Sequence, residues 1–318
     1  MVTYSQSTTP VRSLRSRLYE SEADLLLMQS MLMEGRRRSN DWHYFHVGEM
    51  MWNFFMVTCH LDPRAFIRLW LDGSNKLVAY TMLGEDPNFD CQVLPEYEGQ
   101  GIEQQALDWA ESTVRTLRQK DPVKWSGKMS TGARQDDTRR LAFLKQNGFH
   151  YHGEFAEVNM LRSLDEPIPA GIIPPGCQVR ALVESDLENR AGAERDVWLP
   201  WTVGNVRDED YARLMKMPGY DSELDVIAVA GDGVIAAYVN CWVDPVNRVG
   251  DLGPVGARAP YRRQGYTRAV LLEGLRRMQK RGMQRACVST GVANTPARNL
   301  YGSIGFRIVN QYLDYVKG

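Results

Sequence analysis

A basic, glycine-containing segment near the end of the chain has the residue types that bind a pyrophosphate. Arg262, Arg263, Gln264 and Gly265 stand between a stretch with strand character and a stretch with helical periodicity. The first backbone N–H groups of a helix are unpaired and carry a partial positive charge, so they attract anions. The arginines add full charges, and a glycine lets the backbone approach a ligand because it has no side chain. The segment therefore predicts a site for a pyrophosphate-containing ligand.

The pattern of apolar residues predicts the elements that hold this segment. Residues 255–257 have the character of a strand end, and a helix is predicted from Tyr266 onward. The apolar residues of this helix share one face: Leu271, Gly274, Leu275 and Met278. Because strand, turn and helix follow one another directly, the basic turn is expected beside the unpaired N–H groups of the helix.

Two motifs in this part of the chain resemble signatures of the GNAT acyltransferase superfamily. Residues 262–267 (RRQGYT) are similar to its acyl-CoA loop, (Q/R)-x-x-G-x-(G/A), with Thr267 where the family prefers glycine or alanine. Residues 294–306 (NTPARNLYGSIGF) are similar to its second signature, N-x-x-A-x-x-L-Y-x-x-x-G-F. Two motifs in the family's order and spacing are much more specific than either one alone. The resemblance implies an acyltransferase that uses acetyl-CoA and no metal.

The resemblance also implies which residues contact acetyl-CoA. The backbone at the strand end would pair with the pantetheine arm like an added strand, and one N–H group there would polarise the thioester carbonyl. N–H groups at the start of the helix would hold the pyrophosphate. The implied cofactor-binding residues are Val255, Gly256, Ala257, Arg262, Arg263, Gln264, Gly265, Tyr266, Thr267, Arg268 and Asn294.

For catalysis, the resemblance implies direct attack of an amine on the thioester, assisted by an acid and a base. Tyr301, in the second motif, would protonate the leaving thiolate. The alternative for Tyr301 is an amphipathic helix residue with its hydroxyl at the surface. The candidate base is Asp251, which shares a strand face with a position where relatives carry a carboxylate. An aspartate simply in water at a strand end is the alternative, and Asp225 and Glu223 are weaker candidates.

The acceptor is expected to be a primary amine of a small molecule. Trp198 and Trp201 follow the first helix of this half, a region that borders the acceptor site in GNAT folds, so their indoles would line the acceptor pocket. Core packing is the alternative for both residues. The leading hypothesis is an N-acetyltransferase with its active site in the C-terminal half, and the alternative is a non-catalytic acyl-CoA-binding or interaction module.

The chain has the pattern of two diverged copies of one domain. Similar landmarks recur at a nearly constant offset, Ala79-Tyr80 with Ala237-Tyr238 and Gly148-Phe149 with Gly305-Phe306. The sequence therefore predicts an α/β protein of two tandem GNAT domains, each a mixed, mostly antiparallel sheet flanked by helices. This arrangement is similar to that of mycothiol synthase-type proteins.

A segment rich in proline and glycine, residues 163–177, separates the two copies. The predicted division is a degenerate N-terminal domain at 1–165, a linker at 166–176 and a catalytic C-terminal domain at 177–318. Within the first copy, residues 123–129 are predicted to form a strand.

The first copy lacks residues that the second copy keeps. Glu98 and Glu103 stand at the loop positions where the motif has Arg or Gln and Gly or Ala, and Leu144 stands where the second copy has Tyr301. Two carboxylates at a pyrophosphate site would cost on the order of several kcal/mol through repulsion. We therefore expect the first copy not to bind acyl-CoA, and instead to close over the active half or shape its acceptor pocket.

Composition excludes several other classes of function. The chain has 318 residues, 43% of them hydrophobic, and a formal net charge of -1, so no overall field draws it to nucleic acid. No apolar run is long enough to span a membrane, and residues 1–10 are polar rather than signal-like. Five dispersed cysteines predict reduced thiols, and the H-x-x-H pair of His43 and His46 has no third metal ligand nearby. The expectation is a cytoplasmic protein, a monomer or a homodimer, whose partner is the small-molecule acceptor.

Overall fold

The computed structural model describes residues 14–39, 43–85, 87–199 and 205–318. In these residues strands and helices alternate. The strands are β1 (Arg15–Leu18), β2 (Ile67–Leu71), β3 (Leu77–Leu83), β4 (Phe89–Val93), β5 (Met129–Arg134), β6 (His150–Ser163), β7 (Gln178–Ala181), β8 (Asp225–Val229), β9 (Ile235–Asp244), β10 (Val249–Ala257), β11 (Arg285–Gly291) and β12 (Arg307–Lys317). The helices are α1 (Glu22–Ser39), α2 (Val47–His60), α3 (Pro63–Phe66), α4 (Ile102–Lys120), α5 (Thr138–Gln146), α6 (Leu187–Trp198), α7 (Asp208–Leu214), α8 (Tyr266–Lys280) and α9 (Thr295–Ser303).

The strands form two sheets that are mostly antiparallel. The first has the order β1-β2-β3-β4, and the second has the order β5-β12-β6-β11-β10-β9-β8-β7. Within these described strands, β10 and β11 are the parallel pair and the other neighbours are antiparallel. The predicted fold class, mixed sheets flanked by helices, is confirmed.

The second sheet contains strands from both halves of the sequence. β6 comes from the first half but lies between β11 and β12, while β12 from the second half lies between β5 and β6. Each half therefore supplies a strand that the other half needs to complete its hydrogen bonding. The predicted boundaries at 1–165, 166–176 and 177–318 divide the sequence, and they remain a proposal because the sheet itself is shared.

One predicted strand is placed differently in the structure. Residues 123–129 were expected to be extended, but β5 begins only at Met129, and Val123 is 84% exposed in a turn. Trp125 is buried by stacking on Phe66, with ring centroids 5.7 Å apart. This ring contact, rather than strand pairing, buries the apolar residue that suggested a strand. β5 begins where it can pair with β12, with Met129 opposite Lys317.

Helix α8 anchors the second half against its sheet. The four residues predicted to share its apolar face are all buried: Leu271, Gly274, Leu275 and Met278. A Cβ at Gly274 would lie 2.7 Å from the Sγ of Cys241 on β9, so a glycine is needed for this close approach. The helix N-terminus is therefore held at a fixed place beside the end of β10.

The parallel strands β10 and β11 separate part-way along their length. In the described structure their pairing covers Val249 to Asp251 of β10 and ends at Cys287 of β11. On its other side β10 continues to pair with β9 through Ala257. Past Asp251, β10 therefore presents one backbone edge that is not paired with β11, and this edge faces the opening between the two strands.

No helix in the described ranges combines the length and the hydrophobicity that are needed to cross a membrane. The five cysteines are free thiols.

Candidate active site

A cavity of about 1360 Å³ occupies the opening between β10 and β11. Its walls come from both halves of the chain. Nine of the predicted cofactor-binding residues line it: Val255, Gly256, Ala257, Arg262, Arg263, Gly265, Thr267, Arg268 and Asn294. The other two are not among its lining residues: the amide of Gln264 donates to the carbonyl of Pro260 at 2.7 Å, and Tyr266 is buried edge-on against Tyr261.

The basic turn has the backbone conformation of an anion-binding loop. Gly265 has φ 93° at the start of α8, and Arg263 has φ 63°, a left-handed conformation that costs a residue with a side chain about 1–2 kcal/mol. The N–H of Ala269 donates to the carbonyl of Gly265 at 3.0 Å, so the N–H groups of residues 266–268 have no partner within the helix. Left-handed residues before free helix N–H groups form a concave, electropositive surface.

Asn294 positions the helix that carries the candidate acid. Its Oδ1 accepts a hydrogen bond from the N–H of Ala297 at 3.3 Å and so caps α9, with Pro296 in the first turn. Tyr301 lies near the other end of α9, where it is 5% exposed and lines the cavity. The surface position considered for Tyr301 is therefore not what the structure shows.

The environment of Tyr301 keeps its hydroxyl protonated. Burial, and next the charge of Asp251, raise the pKa of Tyr301 above its usual value of about 10. The ring packs edge-on against Phe306 with centroids 6.0 Å apart. A buried phenol that holds its proton at neutral pH can donate it to a thiolate that forms beside it.

Asp251 lines the same cavity, with its side chain 13% exposed. Burial raises its pKa to about 6, although a hydrogen bond from the Cys287 thiol at 3.4 Å and the charge of Arg36 lower it in part. His46 lies on its other side, with Nδ1 4.0 Å from Oδ2. A carboxylate with a pKa near neutrality is well matched to accept a proton from an amine.

The two weaker candidates for the base lie outside the cavity lining. Asp225 is fully buried, and its carboxylate accepts hydrogen bonds from Arg190 at 3.3 Å and from the Tyr211 hydroxyl at 2.6 Å. Glu223 forms an ion pair with Arg277 at 3.0 Å. Both carboxylates are therefore used in structural contacts.

Trp198 lines the cavity, and its indole N–H donates to the hydroxyl of Tyr238 at 3.0 Å. Its role in binding an acceptor stays a prediction. Trp201 lies outside the described residues.

The two histidines of the H-x-x-H pair face different neighbours. His43 lies 3.5 Å from Asp137 in the first copy, whereas Nε2 of His46 lies 3.1 Å from the carbonyl of Val249 on β10. The N–H of Gly48 donates to Nδ1 of His46 at 3.0 Å, so Nε2 carries the proton that Val249 accepts. Burial lowers the pKa of His46 to about 3, which keeps the ring neutral. Among the described residues, no group of three or more His, Cys, Asp or Glu side chains is arranged to hold a metal ion.

Sequence reasoning did not find the part of the cavity wall that the first half supplies. This part comprises Gly48, Glu49, Trp52 and Asn53 of α2 and Glu157 of β6. One signal was available, because Glu49 is the single acidic residue in α2, a largely apolar helix. Its docking against the opposite half could not be read from the pattern of either half.

In the first copy, the equivalent loop is occupied by the chain's own side chains. The carboxylate of Glu98 pairs with Arg139 at 2.6 Å, and the carboxylate of Glu103 accepts the N–H of Gly99 at 2.8 Å. Arg140 reaches the carbonyl of Gly132 on β5 at 2.6 Å. In the first copy the Glu103 carboxylate thus accepts a hydrogen bond from the loop N–H of Gly99. In the second copy Thr267 stands at the position of Glu103, so no carboxylate fills that place.

The chain is similar to known proteins in sequence and in fold. Residues 192–306 match the family model described as the acetyltransferase (GNAT) family. The mycothiol acetyltransferase of Thermobispora bispora is 26% identical over 242 residues, which cover 72% of this chain and 75% of the relative. The mycothiol acetyltransferase of Acidothermus cellulolyticus is 22% identical over 268 residues, covering 75% and 76%.

Two solved structures share the fold of the whole chain. A GCN5-related N-acetyltransferase from Sphaerobacter thermophilus has a TM-score of 0.64 at 21% identity and covers 98% of this chain and 96% of its own. A tandem GNAT protein from the clavulanic acid biosynthesis pathway has a TM-score of 0.63 at 13% identity, covering 95% and 98%. These findings confirm the resemblance: residues 192–306 match the acetyltransferase (GNAT) family model, and the chain as a whole shares the fold of a tandem GNAT protein.

Proposed function

We propose that this protein transfers an acetyl group from acetyl-CoA to a primary amine of a small molecule, by direct attack, in the cavity of its C-terminal half. The observation that carries the proposal is that one cavity brings together the basic loop at Gly265, the buried acid Tyr301 and the buried carboxylate Asp251. The alternative of a simple binding module does not require a protonated phenol and a carboxylate of pKa about 6 beside each other.

Each part of the cavity has a role in the proposed reaction. The unpaired edge of β10 at residues 255–257 pairs with the pantetheine arm, and the helix N-terminus at Gly265 holds the pyrophosphate. Asp251 accepts a proton from the acceptor ammonium, and the free amine attacks the thioester carbonyl. The C–S bond then breaks, Tyr301 protonates the leaving thiolate, and the attacking nitrogen passes its second proton to the Tyr301 phenolate as the neutral amide forms.

The experiment that tests this function combines binding with turnover. Acetyl-CoA is titrated into the protein by calorimetry, and release of the CoA thiol is then followed in the presence of polyamines, amino acids, aminoglycosides and peptide N-termini. Binding at one site with thiol release that depends on an amine supports the proposal. Binding without release from any amine contradicts the transferase and favours an acyl-CoA-binding module, and no binding contradicts the assignment of the Gly265 loop.

Tyr301→Phe is expected to lower kcat by about 10²-fold or more, because general-acid assistance is typically worth that much. Acetyl-CoA binding should change little, since the phenol acts on the leaving group. Tyr315→Phe is the matched control, because Tyr315 on β12 lies outside the cavity lining. Steady-state kinetics and calorimetry on both variants measure the effect, and unchanged turnover in Tyr301→Phe contradicts the assignment of the acid.

One acetyl-CoA is expected to bind per chain. In the first copy Glu98 and Glu103 occupy the loop, so a pyrophosphate would meet two carboxylates. Calorimetry should give a stoichiometry of one, and Glu98→Ala should leave both the stoichiometry and the affinity nearly unchanged. A second bound molecule in the unaltered protein would show that the first copy is competent.

A further inference from the structure

Helix α2 of the first half is fixed against the strand that carries the candidate base. His46, immediately before α2, bonds to the carbonyl of Val249 two residues before Asp251. Gly48 packs directly on Trp242 of β9, where an added Cβ would lie 2.5 Å from the Trp242 side chain. This docking turns one face of α2 toward the cavity, and Glu49 lies on that face.

Three carboxylates from three different elements line the cavity: Glu49 of α2, Glu157 of β6 and Asp251 of β10. Burial, and then the charges of Asp251, Glu157 and Asp90, raise the pKa of Glu49 well above its usual range. The charge of Arg36 acts in the other direction, but the Arg36 guanidinium donates to the carbonyl of Tyr44 at 2.7 Å.

Among the described residues, no N–H or O–H group lies within hydrogen-bond distance of the Glu49 carboxylate, and the nearby His46 ring is bonded to Val249 and Gly48 instead. Carboxylates that are partly removed from water are normally paired. A cation brought into the cavity would therefore favour the ionised form of Glu49 and pair with it.

Glu49 and the candidate base are brought into one cavity by the same contact between α2 and β10. Asp251 lies two residues after Val249, the β10 residue that His46 contacts, and Glu49 lies three residues after His46. The charge of Asp251 also acts on both Tyr301 and Glu49. Glu49 and Asp251 share the cavity with the indoles of Trp52 and Trp198, so an amine whose nitrogen is held at Asp251 can place a second group at Glu49.

We propose that Glu49 binds a second positive charge on the acceptor, so that the first half of the chain selects amines that carry another cationic group, such as diamines. This inference rests on the proposed function, because Asp251 is taken to serve the reacting nitrogen. Glu157 lines the same cavity, and its charge acts on Glu49. The acceptor class is thus set by residues outside the domain that holds the catalytic pair.

A matched set of acceptors tests the proposal. Putrescine, n-butylamine and γ-aminobutyrate share a four-carbon chain and end in a positive, a neutral and a negative group. The unaltered protein should prefer putrescine in kcat/KM by about 10-fold or more over butylamine, as expected for a charge-assisted hydrogen bond, with γ-aminobutyrate poorest. Glu49→Gln should remove most of this preference while leaving turnover of butylamine within about 3-fold, because a neutral acceptor end gains little from the charge.

Glu188→Gln is the matched control, since Glu188 is exposed on α6, outside the cavity lining, and its loss changes the net charge equally. It should keep the preference for putrescine. An unchanged preference in Glu49→Gln, or no preference in the unaltered protein, overturns the proposal.

A binding measurement separates this proposal from the proposed function. Putrescine and butylamine are titrated by calorimetry into the protein saturated with CoA, in two buffers of different ionisation enthalpy. Putrescine should bind more tightly than butylamine and release protons, because the cation draws Glu49 into its ionised form, and Glu49→Gln should lose both effects. If these effects occur without turnover of any amine, the role of Glu49 stands and the transferase function fails. If putrescine does not bind more tightly, the role of Glu49 fails.

Discussion

Gly265→Glu is expected to abolish acetyl-CoA binding, with an affinity loss of about 100-fold or more. Gly265 ends the basic turn at the N-terminus of α8 with φ 93°, and it lines the cavity. A glutamate there places a negative charge among the N–H groups that would hold the pyrophosphate, and like charges at a desolvated contact cost several kcal/mol, on the order of 100-fold or more in affinity. Calorimetric titration with acetyl-CoA measures the loss.

Gly101→Glu is the matched control for this substitution. Gly101 has the same place in the first copy, at the start of α4 with φ 90°, and a Cβ there would meet no atom within 4 Å. Both substitutions therefore carry a similar backbone cost of about 1–2 kcal/mol, which thermal unfolding can compare. Equal loss of acetyl-CoA binding in the two variants would show that the second-copy loop is not the pyrophosphate site.

The local elements of the second half were predictable because their signals are local. The apolar face of α8, the strand end at residues 255–257 and the left-handed glycine at the helix start each follow from residues a few positions apart. The second motif likewise encodes its own cap and helix, with Asn294 bonded to Ala297 and Tyr301 farther along. Short-range hydrogen bonding and periodicity are enough for such features.

The exchange of strands could not be predicted from either half. β6 and β12 each follow a short helix, and Gly148 or Gly305 lies between the helix and the strand. The sequence of neither strand indicates which other strand it pairs with. The predicted strand at 123–129 was wrong for the same reason, since β5 begins where β12 is available to pair. Pairing between distant segments depends on the whole assembly rather than on local preference.

The part of the cavity wall that the first half supplies could not be predicted, because it depends on the same long-range packing. Glu49 reaches the cavity only because α2 of the first half docks on β9 and β10 of the second, through His46 and Gly48. Asp251 was named from its strand face, but its burial and its contact with Cys287 depend on the pairing of β10 with β11. A carboxylate's residue type is visible in the sequence, whereas its pKa depends on the three-dimensional neighbours.

Asp251→Asn is expected to lower kcat by about 10²- to 10⁴-fold, the usual contribution of a general base. Asparagine keeps nearly the same shape, so binding of acetyl-CoA should change little. Thiol release at saturating acceptor measures kcat, and thermal unfolding checks the fold. Turnover that stays within about 3-fold of the unaltered protein would assign the proton transfer to a group other than Asp251.

The pH dependence of the reaction tests the same residue independently. The base must be ionised to accept a proton, so kcat should fall as the pH decreases through about 6, the pKa to which burial raises Asp251. The charged and titratable groups that interact with it are Cys287, Arg36, His46, Glu49, Tyr301 and Cys241. Since the Cys287 thiol lowers this pKa by donating to the carboxylate, Cys287→Ala should move the acid limb to higher pH, whereas Asp251→Asn should remove it. If the unaltered protein, Cys287→Ala and Asp251→Asn all show the same acid limb, a group other than Asp251 titrates. The reason is that the loss of the Cys287 thiol changes the pKa of the carboxylate to which that thiol donates.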